Sequence, residues 1–409
     1  MNPFDTDLAE RLAALREQNL FRQLRRVDSA QSPRIQIDGK TFLNFSSNDY
    51  LGLANHPALK EAAIRAVETF GAGSGASRLI CGSLAPFHEL EAALAKFKKT
   101  EGAIAFSSGY AAAHGAITAL LGKDDIIILD KLVHACIVDA AKLSGAKIRV
   151  FSHNDLDDLE SKLKWAAKNG PPSQSGIRRV LVVTESVFSM DGDTAPLREI
   201  VGLKEKYGAS LMVDEAHATG VFGGNGGGLI EELGLGGRVE IQMATLGKAL
   251  GAAGGCICGS RELVDFLINR ARPFIFSTAP VPASAAAATE GIRLVQSPEG
   301  KDLREKLASN IAGFQSALNR NESFSFSSSS SSSNIDATRT PIIPIILGEE
   351  QKALDAAAKL REQEIFVPAI RYPSVPRGSA RLRVTLTAAH SREDIFCLVD
   401  ALEKLDIGV

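Results

Sequence analysis

VLVVTES at residues 180–186 and SLMVD at residues 210–214 are short apolar runs on either side of LREIVGLKEK at 197–206. The middle segment has apolar residues at helical spacing, so the stretch predicts a strand, a helix and a second strand. Strands joined in this way lie parallel in a sheet covered by helices, and ligands bind at their carboxyl ends. Asp214, the last residue of the second run, is therefore expected where an α/β protein binds its ligand.

The same alternation continues on both sides of this stretch. Five more apolar runs follow the pattern: AIAFSS (103–108), IIILD (126–130), KIRVFS (147–152), IQMATL (241–246) and GCICG (255–259). The seven runs predict an α/β fold in which residues 50–288 form a large domain around a mainly parallel, seven-stranded sheet. The patterns of residues 289–409 predict a smaller α+β domain, and we expect the N-terminal helix and strand pair of residues 1–49 to join it.

Two segments outside the large domain have distinctive sequences. Leu8, Leu12 and Leu15 have helical spacing, which predicts a surface helix with this face against the protein body. SFSFSSSSSSSN at 323–334 is an almost pure serine tract. Such a tract cannot bury a core, so we expect an exposed loop there.

The composition excludes several classes of protein. The chain has 409 residues, of which 45% are hydrophobic and 23% are charged, as in soluble globular proteins. Its 46 basic and 48 acidic residues give a net charge of −2, so no strong positive field favours nucleic acid or an anionic membrane. The chain has no apolar signal-peptide core and no membrane-length apolar run, so we expect a cytoplasmic protein. Its five scattered cysteines predict reduced thiols, and no spacing indicates a metal site.

The most informative residue is Lys248, in MATLGKALGAAGG at 243–255. The glycines and other small residues around it leave room for a bulky partner beside the ammonium group. A lysine that reacts with an aldehyde needs this space, and it needs burial to lower its pKa. The segment by itself is equally compatible with a solvated loop lysine. Asp214 alone is more often a helix cap, and His217 a surface or core histidine, than a catalytic group.

A third feature is FSSGYAAAHG at 106–115, where a strand ends, Gly109 turns the chain and a helix begins at Tyr110. Backbone amides at a helix N-terminus bind anions such as phosphate. Three hydroxyl groups could add to this site: those of Thr245, Ser277 and Thr278. A lysine, a strand-end acid, a histidine and a phosphate site together form the set that pyridoxal phosphate requires, because it carries an aldehyde, a pyridine nitrogen and a phosphate.

Six motifs resemble those of the α-oxoamine synthases, which are fold-type I pyridoxal phosphate enzymes. They are NFSSNDYLGL (44–53), HNDLDDLE (153–160), TESVFSMDGDTAPL (184–197), VDEAHATGVFG (213–223), TLGKALGAAGG (245–255) and ARLRVTLTAAH (380–390). The resemblance covers the whole chain except the serine tract. It implies an acyltransferase that joins an amino acid to an acyl thioester with loss of carbon dioxide. Within the family, the chain most resembles the biotin-pathway member, which uses L-alanine and a pimeloyl thioester of coenzyme A or acyl-carrier protein.

The resemblance also implies roles for individual residues. Lys248 matches the lysine that bonds to the cofactor aldehyde, Asp214 matches the partner of the pyridine nitrogen, and His134 matches a histidine that stacks on the ring. Ser189 and His217 match side chains near the phenolic oxygen. Lys248, His134, Asp214 and His217 are therefore the predicted catalytic residues.

The remaining matches concern the phosphate and the substrates. The backbone at Gly109 and Tyr110 and the hydroxyl of Thr245 match the phosphate site. Ser277 and Thr278 match a pair that reaches the phosphate from the neighbouring subunit, which implies a homodimer. Four further residues match substrate contacts: Arg25, Asn48, Ser374 and Arg383.

Three other interpretations compete with this one. A glycine-using member such as 2-amino-3-ketobutyrate coenzyme A ligase shares the catalytic residues. SRLICG at 77–82 favours that enzyme, whereas IRYPSVP at 370–376 and the Arg25 segment favour the alanine-using member. GAGSGA at 71–76 fits a dinucleotide-binding pattern, but it follows a predicted helix and the pattern requires a strand. A catalytically dead scaffold is disfavoured because the predicted lysine and acid are both present.

Overall fold

A computed structural model describes residues 2–169, 179–318 and 339–405 of the protein. The described chain contains one seven-stranded sheet and two three-stranded sheets. The predicted serine loop at 323–334 lies outside the described residues. Across the described ranges, no helix combines the length and the apolar character needed to cross a membrane.

The strands, numbered in chain order, are β1 (Arg34–Ile37), β2 (Lys40–Asn44), β3 (Gly102–Phe106), β4 (Ile126–Asp130), β5 (Lys147–Phe151), β6 (Val180–Glu185), β7 (Ser210–Asp214), β8 (Ile241–Thr245), β9 (Gly255–Gly259), β10 (Ile342–Gly348), β11 (Ile365–Phe366), β12 (Ala369–Ile370) and β13 (Ala380–Thr385). The helices are α1 (Pro3–Glu17), α2 (Pro57–Phe70), α3 (Ala85–Lys98), α4 (Gly109–Leu120), α5 (Ala135–Ser144), α6 (Leu156–Asn169), α7 (Leu197–Lys206), α8 (Leu229–Glu232), α9 (Arg261–Arg270), α10 (Arg272–Ile275), α11 (Pro282–Val295), α12 (Pro298–Leu318), α13 (Glu350–Glu362) and α14 (Arg392–Glu403).

The seven predicted apolar runs form the seven strands of the central sheet, so the predicted fold class is confirmed. The strand order is β3-β9-β8-β7-β6-β4-β5, and only β9 runs antiparallel to its neighbours. Along β7, Leu211 and Val213 belong to one hydrophobic cluster and Met212 belongs to another. The strand is therefore buried on both faces, which explains why its sequence is continuously apolar.

One of the two small sheets joins the N-terminal and C-terminal segments. Strands β1 and β2 form a hairpin through Asp38 and Gly39, and β2 also pairs in parallel with β11 from the C-terminal segment. The other small sheet has the order β10-β13-β12. The N-terminal strand pair thus shares a sheet with residues 365–366. The domain limits at 49 and 288 stay a prediction, and residue 288 lies within α11.

The prediction for the N-terminal helix was wrong in one respect. The helix forms over Pro3–Glu17, but it buries no residue. Leu8, Leu12 and Leu15 each remain about two-fifths exposed. Helical spacing shows that the three leucines share a face, but it carries no information about what covers that face.

The helix α11 packs closely on the loop that carries Lys248, and a glycine makes this contact possible. A Cβ atom at Gly291 would lie 2.3 Å from the carbonyl oxygen of Leu250. We expect Gly291→Ala to lower the free energy of unfolding by about 1–3 kcal/mol, because the backbone must move to relieve the overlap. Denaturant unfolding measures the change.

A second helical glycine provides the control. Gly313 lies in α12 with nothing within 4 Å of a built Cβ. There Gly313→Ala should raise the free energy of unfolding by up to about 1 kcal/mol through helix propensity alone. Equal effects of the two substitutions would contradict the packing argument.

Candidate active site

Two neighbouring parallel strands place a pair of carboxylates at the carboxyl edge of the central sheet. Glu185 ends β6 and Asp214 ends β7, and the two residues are paired in the strand register. Both side chains are buried. Asp214 Oδ1 accepts a hydrogen bond from the backbone N–H of Ala216 at 2.8 Å. Burial raises the pKa of Asp214, and the nearby ammonium group of Lys248 opposes this shift.

Lys248 lies in the loop after β8, the strand beside β7. Its Nζ atom is 2.7 Å from Nε2 of His217. Burial lowers the pKa of Lys248 to about 8, although the charges of Asp214 and Glu185 oppose the shift. The predicted lysine, acid and histidine therefore lie in one cluster, and the Lys248 amine loses its proton more readily than an ordinary lysine does.

His217 connects Lys248 to Tyr50, a residue that the sequence analysis missed. The phenol oxygen is 2.5 Å from His217 Nδ1 and 3.3 Å from Asn48 Oδ1. Burial and the charge of Lys248 lower the pKa of His217 well below its usual value, so the ring is neutral. A neutral ring that accepts from the Lys248 ammonium at Nε2 donates from Nδ1 to Tyr50. Burial raises the pKa of Tyr50 to about 12, so the phenol keeps its proton and donates it to Asn48.

Arg383 on β13 joins three distant segments of the chain. Its Nε atom donates to the carbonyl oxygen of Ser189 at 2.6 Å. Its Nη1 atom donates to Asn48 Oδ1 at 3.2 Å and to Thr385 Oγ1 at 2.9 Å. The guanidinium is buried. Three of the predicted residues are thus brought together, and Asn48 links them to the chain of hydrogen bonds through Tyr50.

The loop of residues 186–194, which carries Ser189, is held by a second charged cluster. His153 Nδ1 is 3.0 Å from Asp130 Oδ1, and its Nε2 is 2.7 Å from Asp193 Oδ2. Burial alone would lower the pKa of His153, but the hydrogen bonds to the two carboxylates raise it to about 10. A protonated His153 therefore ties this loop to the end of β4 at neutral pH.

His134 caps the start of α5, where its Nδ1 atom accepts the backbone N–H of Cys136 at 3.3 Å. Its own backbone N–H donates to Glu185 Oε1 at 2.5 Å. Burial lowers the pKa of His134, and the charge of Asp214 opposes the shift. Burial, followed by the charge of Asp214, raises the pKa of Glu185 well above its usual value. Sequence reasoning missed Glu185, although it ends an apolar run just as Asp214 does.

The predicted phosphate site lies at the start of α4. Ser108 caps this helix by accepting the N–H of Ala111 at 3.0 Å. A Cβ atom at Gly255 would lie 2.6 Å from Cα of Gly109, so the glycine lets the helix start rest on the sheet. A Cβ at Gly109 would be 3.7 Å from Cβ of Thr245, which places the predicted hydroxyl beside the helix start.

The side chain of Tyr110 contacts α5 and its own helix. Its hydroxyl donates to Asp139 Oδ2 at 3.0 Å, and its ring stacks on His114 with 4.6 Å between centroids. The prediction for Tyr110 concerns its backbone amide at the helix start, and the side-chain contacts are compatible with it.

Four predicted residues lie outside the Lys248 cluster and have exposed side chains. The guanidinium of Arg25 is 5.9 Å from the ring centroid of Phe366. The backbone N–H of Ser374 donates to the carbonyl of Arg371 in a turn. Ser277 and Thr278 line a cleft together with Ser107, two residues before Gly109. Their roles toward substrate and cofactor stay predictions.

The chemistry of the cluster fits pyridoxal phosphate. Lys248 offers an amine for the aldehyde, and Asp214 offers a buried carboxylate for the pyridine nitrogen. The start of α4 and Thr245 offer donors for the phosphate. The close contact at Gly255 keeps this helix start near the carboxyl edge of the sheet, where the other groups lie.

The low pKa of Lys248 predicts how cofactor capture depends on pH. Only the neutral amine attacks an aldehyde, so the capture rate of the cofactor-free enzyme should rise with pH and reach half its maximum near pH 8, well below the ordinary value of 10.5. Asp214→Asn removes a charge that stabilises the ammonium form, so it should move this midpoint to lower pH. Stopped-flow absorbance after mixing with pyridoxal phosphate measures both midpoints. A wild-type midpoint near 10.5 would contradict the assignment.

The chain is similar to several known proteins along almost its whole length. Residues 40–402 match the family described as Aminotransferase class I and II. The 8-amino-7-oxononanoate synthase of Geotalea daltonii is 48% identical over 393 residues, which is 96% of each chain. The enzyme of the same name from Geobacter sulfurreducens is 46% identical over 404 residues, covering 98% of this chain and 99% of the relative.

The fold is also similar to that of a solved structure. Serine palmitoyltransferase from S. paucimobilis, with a bound PLP–myriocin aldimine, superposes with a TM-score of 0.87 at 30% identity, covering 97% of this chain and 96% of the other. The chain therefore belongs to the class I and II aminotransferase family and, within it, to the pyridoxal phosphate-dependent α-oxoamine synthases that include the 8-amino-7-oxononanoate synthases.

Proposed function

We propose that this enzyme condenses L-alanine with a pimeloyl thioester of coenzyme A or acyl-carrier protein, releasing carbon dioxide and the free thiol of that carrier and forming 8-amino-7-oxononanoate for biotin synthesis. The observation that carries the proposal is the cluster in which the Lys248 amine lies 2.7 Å from His217, beside the buried Asp214. The near-complete coverage by 8-amino-7-oxononanoate synthases supports the choice of L-alanine over glycine. The proposed compartment is the cytoplasm.

The proposed chemistry divides between the cofactor and the protein. Bound pyridoxal phosphate supplies an aldehyde that captures the amino acid and a pyridine ring that accepts electrons from its Cα. Lys248 removes the Cα proton, and its pKa of about 8 suits a base at neutral pH. Asp214 would hold a proton on the pyridine nitrogen, and its buried position would exclude water from that contact. His134 would stack on the ring.

The neutral His217 and its partners have a different proposed role. His217 holds the Lys248 amine at one nitrogen and the Tyr50 hydroxyl at the other. Ser189 and His217 would face the phenolic oxygen of the cofactor. Because the His217 ring is neutral, it accepts a hydrogen bond at one nitrogen and donates one at the other without adding charge to the site.

Arg383 is the proposed partner of the amino acid carboxylate. Its described hydrogen bonds to protein use Nε and Nη1, which leaves the Nη2 donors for a carboxylate. Asn48 orients the guanidinium. Arg25 and Ser374 are proposed to contact the acyl substrate from the N-terminal and C-terminal segments.

A homodimer is proposed because Ser277 and Thr278 would serve the phosphate site of a second subunit. In support, large apolar side chains are exposed around these residues. Ile80 is 78% exposed and Phe276 is 69% exposed, and the backbone bridge from Ser77 to Thr278 holds their two segments together. Such an apolar patch is typical of a contact surface.

Charge placed in this patch should separate the subunits. We expect Ile80→Glu combined with Phe276→Glu to yield a monomer that retains less pyridoxal phosphate, because the neighbouring hydroxyls no longer reach its phosphate. Light scattering and cofactor absorbance measure the two effects. Phe396→Glu, at an exposed position on α14, is the control and should change neither. A dimeric double variant with full cofactor would contradict the proposed interface.

A product assay tests the function. The purified protein should form 8-amino-7-oxononanoate from L-alanine and a pimeloyl thioester, detected by mass spectrometry, with separate reactions for the coenzyme A and carrier-protein donors. Lys248→Ala should abolish turnover and the absorbance of the lysine-bound cofactor. Product from glycine and acetyl-CoA, but not from alanine and either pimeloyl donor, would establish the glycine-using alternative. An active Lys248→Ala enzyme would refute the catalytic assignment.

A further inference from the structure

A fully buried ion pair lies directly behind the site. Lys98 is the last residue of α3, and its side chain is 1% exposed, while that of Glu215 is 0% exposed. The Lys98 ammonium donates to Glu215 Oε2 at 2.8 Å, to Thr219 Oγ1 at 2.7 Å and to the carbonyl of Gly227 at 2.7 Å. These three acceptors satisfy the three donors of the ammonium group.

Glu215 is held from several directions at once. Its Oε1 atom accepts the backbone N–H of Ile230 at 2.9 Å. Its backbone N–H donates to the carbonyl of Met243 on β8 at 2.8 Å. A Cβ atom at Gly228 would lie 2.5 Å from the Glu215 carboxylate, so the glycine loop closes tightly over it. The carboxylate is therefore fixed on all sides by protein.

The ion pair and the site share one turn of the chain. Residues 214–219 leave β7, and the backbone N–H groups of Ala218 and Thr219 donate to the carbonyl of Glu215. Glu215 and Thr219 contact Lys98, whereas His217 contacts Lys248 and Asp214 lies beside it. The buried ammonium group of Lys98 thus binds Glu215 and Thr219, near the two ends of this turn. Asp214 and His217, in the same turn, belong to the candidate site.

A buried ion pair such as Lys98–Glu215 is not explained by stability alone. The desolvation of two charges often exceeds their attraction, and well-packed apolar residues of similar volume are commonly as stable. Hydrogen bonds to a buried charge do fix geometry, because each has a preferred direction. We propose that Lys98 and Glu215 are positioning residues that hold Asp214 and His217 at the angles at which they serve the cofactor. This inference rests on the roles proposed above for Asp214 and His217.

Lys204 on α7 provides a control at the other end of β7, in an ion pair whose acid, Glu240, is 44% exposed. Lys204 is also buried, and its ammonium lies 2.5 Å from Glu240 Oε1. The other oxygen of Glu240 accepts the N–H of Leu211 near the start of β7. Lys204 thus anchors the far end of the strand whose carboxyl end Lys98 supports, and it lies away from the Lys248 cluster.

The experiment compares Lys98→Met and Lys204→Met as holoenzymes. Melting temperature reports stability, and the pH titration of the absorbance of the lysine-bound cofactor reports the arrangement around it. We expect both variants to melt earlier. Only Lys98→Met should also displace the spectroscopic titration and lower kcat, by up to about 100-fold, as expected for misplaced catalytic groups. The KM for the thioester should remain unchanged.

A double variant separates positioning from stability. Lys98→Met with Glu215→Leu removes both charges, so it should recover most of the melting temperature while the displaced titration and low kcat persist. A wild-type titration and kcat in this stable double variant would overturn the proposal, even if Lys98→Met alone fails to fold. If the wild-type enzyme binds cofactor but makes no product, the proposed function fails, and the cofactor titration still decides the role of Lys98.

Discussion

The arrangement of charge at the carboxyl edge of the central sheet is the constraint on which the rest of the site depends. Strand register places Glu185 directly beside Asp214, and both are buried. Two adjacent buried carboxylates disfavour each other's ionised forms, so each needs a cationic or hydrogen-bonding partner. The Lys248 ammonium and the backbone N–H groups of His134 and Ala216 supply these partners. The charges of Asp214 and Glu185 in turn favour the ammonium form of Lys248. The pKa of Lys248 is therefore lowered less than burial alone would lower it.

The geometry of this edge is maintained by contacts from both sides of the sheet. On the site side, His217 and Tyr50 hold the Lys248 amine in a chain of hydrogen bonds. On the opposite side, Lys98 and Glu215 fix the turn after β7. Because neighbouring residues of that turn contact Lys98 and Lys248, a shift of the turn would disturb both sets of hydrogen bonds.

Local patterns in the sequence predicted the sheet well, because strands buried on both faces must be continuously apolar. Their small neighbours and strand-end position made Lys248 and Asp214 candidates, but only the six motifs that resemble the α-oxoamine synthases assigned their roles. Tyr50, Glu185 and Lys98 were missed because their importance comes from partners far away along the chain. Tyr50 lies 167 residues from His217, and Lys98 lies 117 residues from Glu215. The exposed leucines of α1 show a different limit of sequence analysis. Periodicity predicts that residues share a helix face, but it does not predict whether that face is buried.

The position of Arg383 explains why the small sheets matter to a site built mainly on the large one. Its strand β13 pairs with β10 and β12, whereas its guanidinium contacts Ser189 of the large-sheet loop and Asn48 of the N-terminal segment. A carboxylate bound at Arg383 would therefore bind where β13, the loop that carries Ser189 and the N-terminal segment meet. Asn48 also accepts a hydrogen bond from Tyr50, and Tyr50 is connected through His217 to Lys248. If Arg383 binds the substrate carboxylate as proposed, one connected network of hydrogen bonds would join that carboxylate to the Lys248 amine.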